Sequence, residues 1–285
     1  MTEARAGWAT EVTDLVRAAS GGLLFGIPLL FTVEVLWTGQ HTSPTQMVVL
    51  LLAAFVPLLV LNRTEGFRSN RDVRLRDALV DAIEGVALSI VLVVATLVLI
   101  GEIRGETPLQ VMLGKMANEV LPVCIGIGVA RHLLRQNEDR DSTDDDRVET
   151  AGSQRMNATL ADLGASTIGS VFIALSIAPT DEVPLLAASR SPLWLLAIMA
   201  ASILVAYAIV FVAGFSGQND RHAQQGVLQH PVTETLTSYV VALFAGLAML
   251  KIFQRADGPL RDTVAQVIVL GLPAAIGGAA GRLAV

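Results

Sequence analysis

The 285-residue chain is 53% hydrophobic and only 16% charged, whereas a soluble domain carries about 25% charged residues. That balance excludes an ordinary soluble fold. The formal net charge of −6 is concentrated in one segment and is not spread over a surface, and no patch of interleaved basic and aromatic residues suggests a nucleic-acid partner.

The chain opens on an acidic stretch, MTEARAGWATEVTDLVR, with no basic leader and no small-residue cleavage site. It is expected to be a retained helix and not a signal peptide. Trp8, Val12, Leu15 and Ala19 share one helical face, which suits a helix lying on the membrane surface as well as a mobile tail. Eight apolar runs follow, at 18–38, 46–62, 78–101, 108–134, 158–178, 191–215, 231–253 and 259–283. A bilayer core needs about 20 apolar residues per helix. Lipid offers the backbone no partner, so only helices or closed barrels cross it, and these runs are too long and too evenly apolar for barrel strands. The expectation is an all-α, multi-pass membrane protein of eight transmembrane helices.

Arginine and lysine set the orientation. With the N-terminus in the cytoplasm, the inner segments hold fourteen basic residues and the outer segments five. Excess Lys and Arg mark the cytoplasmic side, so both termini are expected inside a bacterial inner (plasma) membrane, with Trp37 and Trp194 at outer helix ends. Lys115 is the one basic residue within a span. Cys124, the single cysteine, can form no intrachain disulfide and reads as a small packing residue.

Between the fourth and fifth runs, residues 138–149 hold seven acids and two arginines. Clustered like charge repels and stays solvated, and the spacing lacks the glycine of a calcium-binding EF-hand loop. A flexible linker is favoured over a cation sensor. The linker, 136–155, separates two stretches that resemble each other. PLQVMLGKMANEVLPVCIGIGVARHLL (108–134) and PLRDTVAQVIVLGLPAAIGGAAGRLAV (259–285) match at seven of 27 positions without a gap. At an offset of 148, Asp14-Leu15, Gly21 and Thr32-x-Glu34-Val35 meet Asp162-Leu163, Gly169 and Thr180-x-Glu182-Val183. At 150, Glu84 meets Glu234. The chain therefore reads as two four-helix copies, 1–135 and 156–285. Four spans is an even number, so the copies are parallel repeats, one of the arrangements found in transporters. Gly277 and Gly281 form a GxxxG pair, and Gly126 with Ala130 the matching small pair, so spans four and eight should pack closely. Whether they face each other or pack only within their own copies is open at this level.

Ionisable residues inside a membrane mark ion or substrate pathways by default. The repeat supplies matched acids: Glu34 and Glu182 near the outer ends of spans one and five, the latter beside Asp181, and Glu84 and Glu234 near the inner ends of spans three and seven, with Asp81 one turn before Glu84. Each also has a simpler reading as an interfacial or helix-start carboxylate. Glu119 lies near the middle of span four with Lys115 one turn earlier; an i, i+4 ion pair would make that charge tolerable, and a proton- or cation-coupled site is the sharper alternative. Pro28, Pro57, Pro122 and Pro273 suggest kinked or broken spans.

No HExxH, GxSxG, Walker loop or GxGxxG is present, and His41, His132, His222 and His230 lack ligand spacing, so no enzyme and no cofactor is expected. The stretches GGLLFGIPLLFTVEVLW, ADLGASTIGSVFIALSIAPTDEVPLLAA, IVFVAGFSGQNDR…HPVTETLTSYVVALFAGL and VIVLGLPAAIGGAAGRLAV resemble a family of bacterial integral membrane proteins of unknown function. The resemblance implies an inner-membrane protein of eight helices and carries over no functional residue. The reading favoured is a channel or transporter for cations lined by the paired acids. A non-transporting sensor or assembly protein acting through cytoplasmic loops, and an exporter of small organic cations, are the alternatives. The partners are the bilayer and an inorganic cation, of which Ca²⁺ would suit hard oxygen ligands. Homo-oligomerisation is left open.

Overall fold

The computed structural model describes residues 2–64, 75–138, 153–188, 190–213 and 230–283; for some helical residues, among them Glu34 and 129–138, it describes the backbone only. The acidic stretch 139–152, within the expected linker 136–155, and residues 65–74 and 214–229 lie outside the described residues. So do the side chains of Ala130 and Arg131.

Among the described residues each of the eight apolar runs is mainly helical and there is no strand. The helices are α1 (Thr2–Leu30), α2 (Val33–His41), α3 (Pro44–Thr64), α4 (Leu75–Leu99), α5 (Leu109–Glu138), α6 (Ser153–Ile177), α7 (Glu182–Ala188), α8 (Pro192–Tyr207), α9 (Pro231–Ile252) and α10 (Leu260–Leu283). Six are long and apolar enough to cross a membrane, or seven if the bent pair α6–α7 is one span. The expected second span is represented by a shorter apolar helix, Pro44–Val56.

Local chemistry sets the helix ends. Proline stands at the first turn of α3, α8 and α9, where its missing N–H would have had no intrahelical partner. Ser43 and Gln46 close a capping box at the start of α3: Gln46 Oε1 accepts from the Ser43 N–H at 3.0 Å, and the Gln46 N–H donates to Ser43 Oγ at 3.4 Å. The Ser191 hydroxyl accepts from the Trp194 N–H at the start of α8. Two spans break. Pro179 cannot continue α6, because it has no N–H to give the preceding turn, and α7 leaves at 88° to α6. α1 stops at Leu30, past Pro28, and α2 begins at Val33. Each break carries a threonine whose hydroxyl donates back to the helix just ended: Thr32 to the Pro28 carbonyl at 3.2 Å and Thr180 to the Ile177 carbonyl at 2.6 Å.

The chain forms two compact units, residues 17–135 and residues 136–285 together with 1–16. In the first, α5 is packed on the glycine face of α1. A Cβ on Gly126 would come within 2.5 Å of the Gly21 carbonyl oxygen, so only glycine allows this approach of the two backbones. Gly26 sits against Val123, and Gly39 of α2 against Lys115. Cys124 is buried and unpaired with any other cysteine, its thiol 3.0 Å from Ser89 Oγ on α4.

In the second unit α10 is the central helix, packing on α6, α7, α8 and α9. A Cβ on Gly277 would come within 2.5 Å of the Gly169 carbonyl oxygen, and one on Gly281 would strike the Ala165 carbonyl. α10 and α5 are the most deeply buried of the six candidate spans, as their glycines suggested.

Candidate functional site

A buried acid dominates the unit 17–135. Glu119 is 0% exposed, and neither carboxylate oxygen has a hydrogen-bond partner among the described residues. The expected i, i+4 ion pair with Lys115 is not formed. Lys115 Nζ instead lies 2.7 Å from Glu102 Oε2 and donates to the Glu102 carbonyl at 3.3 Å. Side chains on a helix lean toward its N-terminus, so the ammonium of Lys115 is carried away from Glu119 toward the loop after α4. There its charge meets a carboxylate that is 23% exposed and still partly hydrated. Loss of water is smaller at that place than beside Glu119.

The surroundings of Glu119 follow from its neighbours one turn away on either side. Val123 rests on Gly26 of α1 and Lys115 on Gly39 of α2. The break at Phe31–Thr32 falls between those two glycines, so the interrupted span passes the turn of α5 that carries Glu119. Asn118, the residue before Glu119, donates to Thr42 Oγ1 at 2.9 Å and to the Gly114 carbonyl at 2.8 Å, and Thr42 donates to the Thr38 carbonyl at 2.9 Å. These bonds fasten α5 to the end of α2. Three residues past Glu119, Pro122 has no N–H for the Asn118 carbonyl. The turn thus combines a buried carboxyl with a backbone carbonyl freed from the helix ladder.

The repeat-matched acids divide into different situations. Glu182 is 4% exposed at the start of α7. The side chain of its counterpart Glu34 is outside the described residues. Asp181 is exposed, and Arg255 Nη1 donates to its Oδ1 at 2.5 Å while Nη2 donates to the Pro179 carbonyl at 2.7 Å. That clamp across the α6–α7 corner makes Asp181 a structural partner. Glu234 is ion-paired with Arg282. Arg282 is 1% exposed, its Nη1 donates to Ser238 Oγ at 3.1 Å, and its guanidinium lies 5.8 Å from the ring centre of Phe211. Phe211 belongs to a π-helical turn, Ala208–Val212, that ends α8. Glu84 is exposed and Asp81 half-buried on α4.

Sequence reasoning missed two features. The Arg282–Glu234 pair joins residues that the hydropathy pattern placed at the same end of their spans, and their opposite charges were the available signal. Ser166 and Ser170, one turn apart on α6, are both fully buried with no partner for their hydroxyls among the described residues. They face Gly278, where a Cβ would come within 2.5 Å of Ser170 Oγ. Their i, i+4 spacing in an otherwise small and apolar run could have drawn notice. Among the described residues, no group of three or more His, Cys, Asp or Glu could hold a metal ion.

Residues 14–285 match the family described as "Putative integral membrane protein (DUF2391)". No curated protein and no solved structure shows significant similarity to the chain. The chain belongs to that family, and the several apolar helices agree with a protein embedded in a membrane.

Proposed function

We propose that this member of the integral membrane family is a conduit for cations, with Glu119 as the residue on which passage depends. The observation that carries the reading is the burial of that carboxyl: it lies mid-span, 0% exposed and unpartnered. Charge so placed is costly, and intramembrane acids that persist generally serve ions or protons. The broken spans α1–α2 and α6–α7 support the same reading, since discontinuous helices bring free backbone groups to the binding sites of transporters.

The proposal includes eight spans in two four-helix copies, with both termini on the cytoplasmic side of a bacterial inner membrane. The bent α6–α7 counts as the fifth span and α3 as the second. The matched approaches of Gly126 to Gly21 and of Gly277 to Gly169 favour the duplication, because the aligned residues make the aligned contact in each unit. The acids at the span ends have a smaller part than their register suggested. Glu234 and Asp181 are held by Arg282 and Arg255, so neither carboxylate is available to a passing cation.

Flux assays on the purified protein in liposomes, with Na⁺, K⁺, Ca²⁺ and H⁺ supplied one at a time, test the proposal. Passage of at least one cation above protein-free liposomes, lost in Glu119→Gln, is the expected result. A folded protein that passes none removes the conduit reading.

A further inference from the structure

From the arrangement of three side chains on and beside α5, we infer that Glu119 is a proton-binding site and that Lys115 is its alternating counter-ion, released from Glu102 when Glu119 gives up its proton. This deepens the conduit reading and rests on it for its purpose, though the site is testable without any flux.

The argument begins with what Glu119 lacks. A carboxylate without water or a partner is costly by several kcal/mol, even after relaxation of its surroundings. Both oxygens are buried and unpartnered, so either a proton sits on the group or a cation sits beside it. A cation stripped of water needs several oxygens, and Ca²⁺ takes six to eight. Among the described residues no group of three or more His, Cys, Asp or Glu is gathered there to supply them. A proton needs one oxygen.

Other charges are placed too far along their elements to act as the standing counter-ion. On α1 within this unit only Arg17 is charged, near the end remote from the break. The described apolar stretch of α3, 44–56, has no charged residue. On α4, Arg76, Asp77, Asp81 and Glu84 all stand within the first ten residues, and Arg104 and Glu106 in the loop before α5 are exposed. On α2, His41 is exposed with Nδ1 at 3.0 Å from the Trp37 carbonyl, and the Glu34 side chain is not described. Lys115 remains. It lies one turn from Glu119 on the same helix face, the separation at which Lys and Glu meet, and its four-carbon stem, though buried against Gly39 at its base, is flexible enough to redirect the ammonium. Its present partner, Glu102, is partly exposed and can return to water when released.

The cycle needs no additional group. With Glu119 protonated, the neutral acid sits in its apolar place and Lys115 pairs with Glu102, the arrangement observed. When the proton leaves to water or to an acceptor in the path, the ammonium turns to the new carboxylate, and Glu102 is left hydrated. The charge near mid-span changes by one unit as the proton goes, and Lys115 balances it.

A hydrophobic carbodiimide reads this directly. The protonated carboxyl adds across the N=C bond of dicyclohexylcarbodiimide, giving an acylisourea that rearranges to a stable acylurea, and the adduct is located by peptide mass spectrometry. In the purified full-length protein, Glu119 should be modified at low pH and progressively less as pH rises. Glu119→Gln should show no adduct on that peptide. In Lys115→Gln the departing proton leaves an unbalanced carboxylate. The pH of half-modification should therefore move upward by about one to three units, the effect of removing an opposite charge at close range. Lys115→Gln keeps Glu119 and leaves only a partly exposed Glu102 unpaired, so it tests the proposal even if Glu119→Gln fails to fold. Absence of an adduct at Glu119 at every pH would overturn the site. An unshifted profile in Lys115→Gln would overturn the counter-ion. Protection by NaCl, set against choline chloride at the same pH and ionic strength, would make it a metal-cation site and overturn the proton assignment. Labelling as expected in a protein that passes no ion would leave this inference standing and remove the conduit reading alone.

Discussion

The two units make the same contact between aligned glycines and differ in what they place in the middle of the helix concerned. In one, α5 lies against α1 through Gly126 and Gly21, and the helix carries Glu119. In the other, α10 lies against α6 through Gly277 and Gly169, and the position aligned with Glu119 is Leu270, also fully buried. The charge of this second unit is at the end of α10 instead, where Arg282 is neutralised by Glu234 and steadied by Ser238. Close backbone approach is a requirement of helix packing in lipid, and it is met alike on both sides. A mid-span carboxyl is a liability for packing, and of these two helices only α5 bears one. The glycines therefore speak for architecture and Glu119 for function.

Breaking the Arg282–Glu234 pair should have the largest effect on stability. Arg282→Gln leaves a mostly buried carboxylate uncompensated, which costs about 3–5 kcal/mol. The thermal midpoint in detergent should fall sharply, and the double change Arg282→Gln/Glu234→Gln should recover part of it. A double variant as unstable as the sum of the two single ones would mean that the residues do not interact. Exchanging the mid-span residues sharpens the comparison. Leu270→Glu should destabilise by about 3 kcal/mol or more, because nothing there is built to receive a carboxyl. Glu119→Leu should hold or raise the midpoint, since an apolar side chain replaces an unpartnered polar one. Thermal melts of the two variants side by side check both, and a midpoint lowered equally in both would show that the surroundings of Glu119 require it for folding.

Next in size are the glycines. Gly126→Ala and Gly277→Ala each force a methyl group onto a backbone oxygen that cannot turn aside, an overpacking worth about 1–3 kcal/mol. Gly105→Ala, with nothing within 4 Å of the added carbon, serves as the control. Melts that rank Gly105→Ala with the other two would remove the packing account. The smallest effect belongs to Asp181→Asn. Its ion pair with Arg255 is exposed, and such pairs contribute about 1 kcal/mol or less. A midpoint shift no larger than that of Gly105→Ala is expected.

The helices were legible because lipid leaves so few choices: long apolar runs must be helical. Their breaks were legible only in part. Of the four prolines read as kinks or breaks, Pro28 lies close to an interruption, whereas α3, α5 and α10 run on as helix through Pro57, Pro122 and Pro273, and the corner at Pro179 was not among them. The glycine contacts were legible because the two aligned stretches carry their glycines in the same order. The partners of charged residues were not. Lys115 was expected to meet Glu119 at helical spacing, and it meets Glu102, thirteen residues away through a turn. Arg282 meets Glu234 across 48 positions of chain, a choice made by the packing of α9 on α10. Sequence spacing gives neighbours on one helix; it does not give the direction in which a long side chain finds water. The matched acids share that blind spot. Alignment of the two stretches shows which residues correspond and is silent on whether an arginine holds them, as it does Glu234 and Asp181.

The most direct test of the account is cation and proton flux into liposomes holding Glu119→Gln, beside the wild type and Asp181→Asn. Flux reduced to the level of protein-free liposomes in Glu119→Gln, with Asp181→Asn close to wild type, is the result predicted. Wild-type flux in Glu119→Gln would contradict the claim that passage depends on this carboxyl.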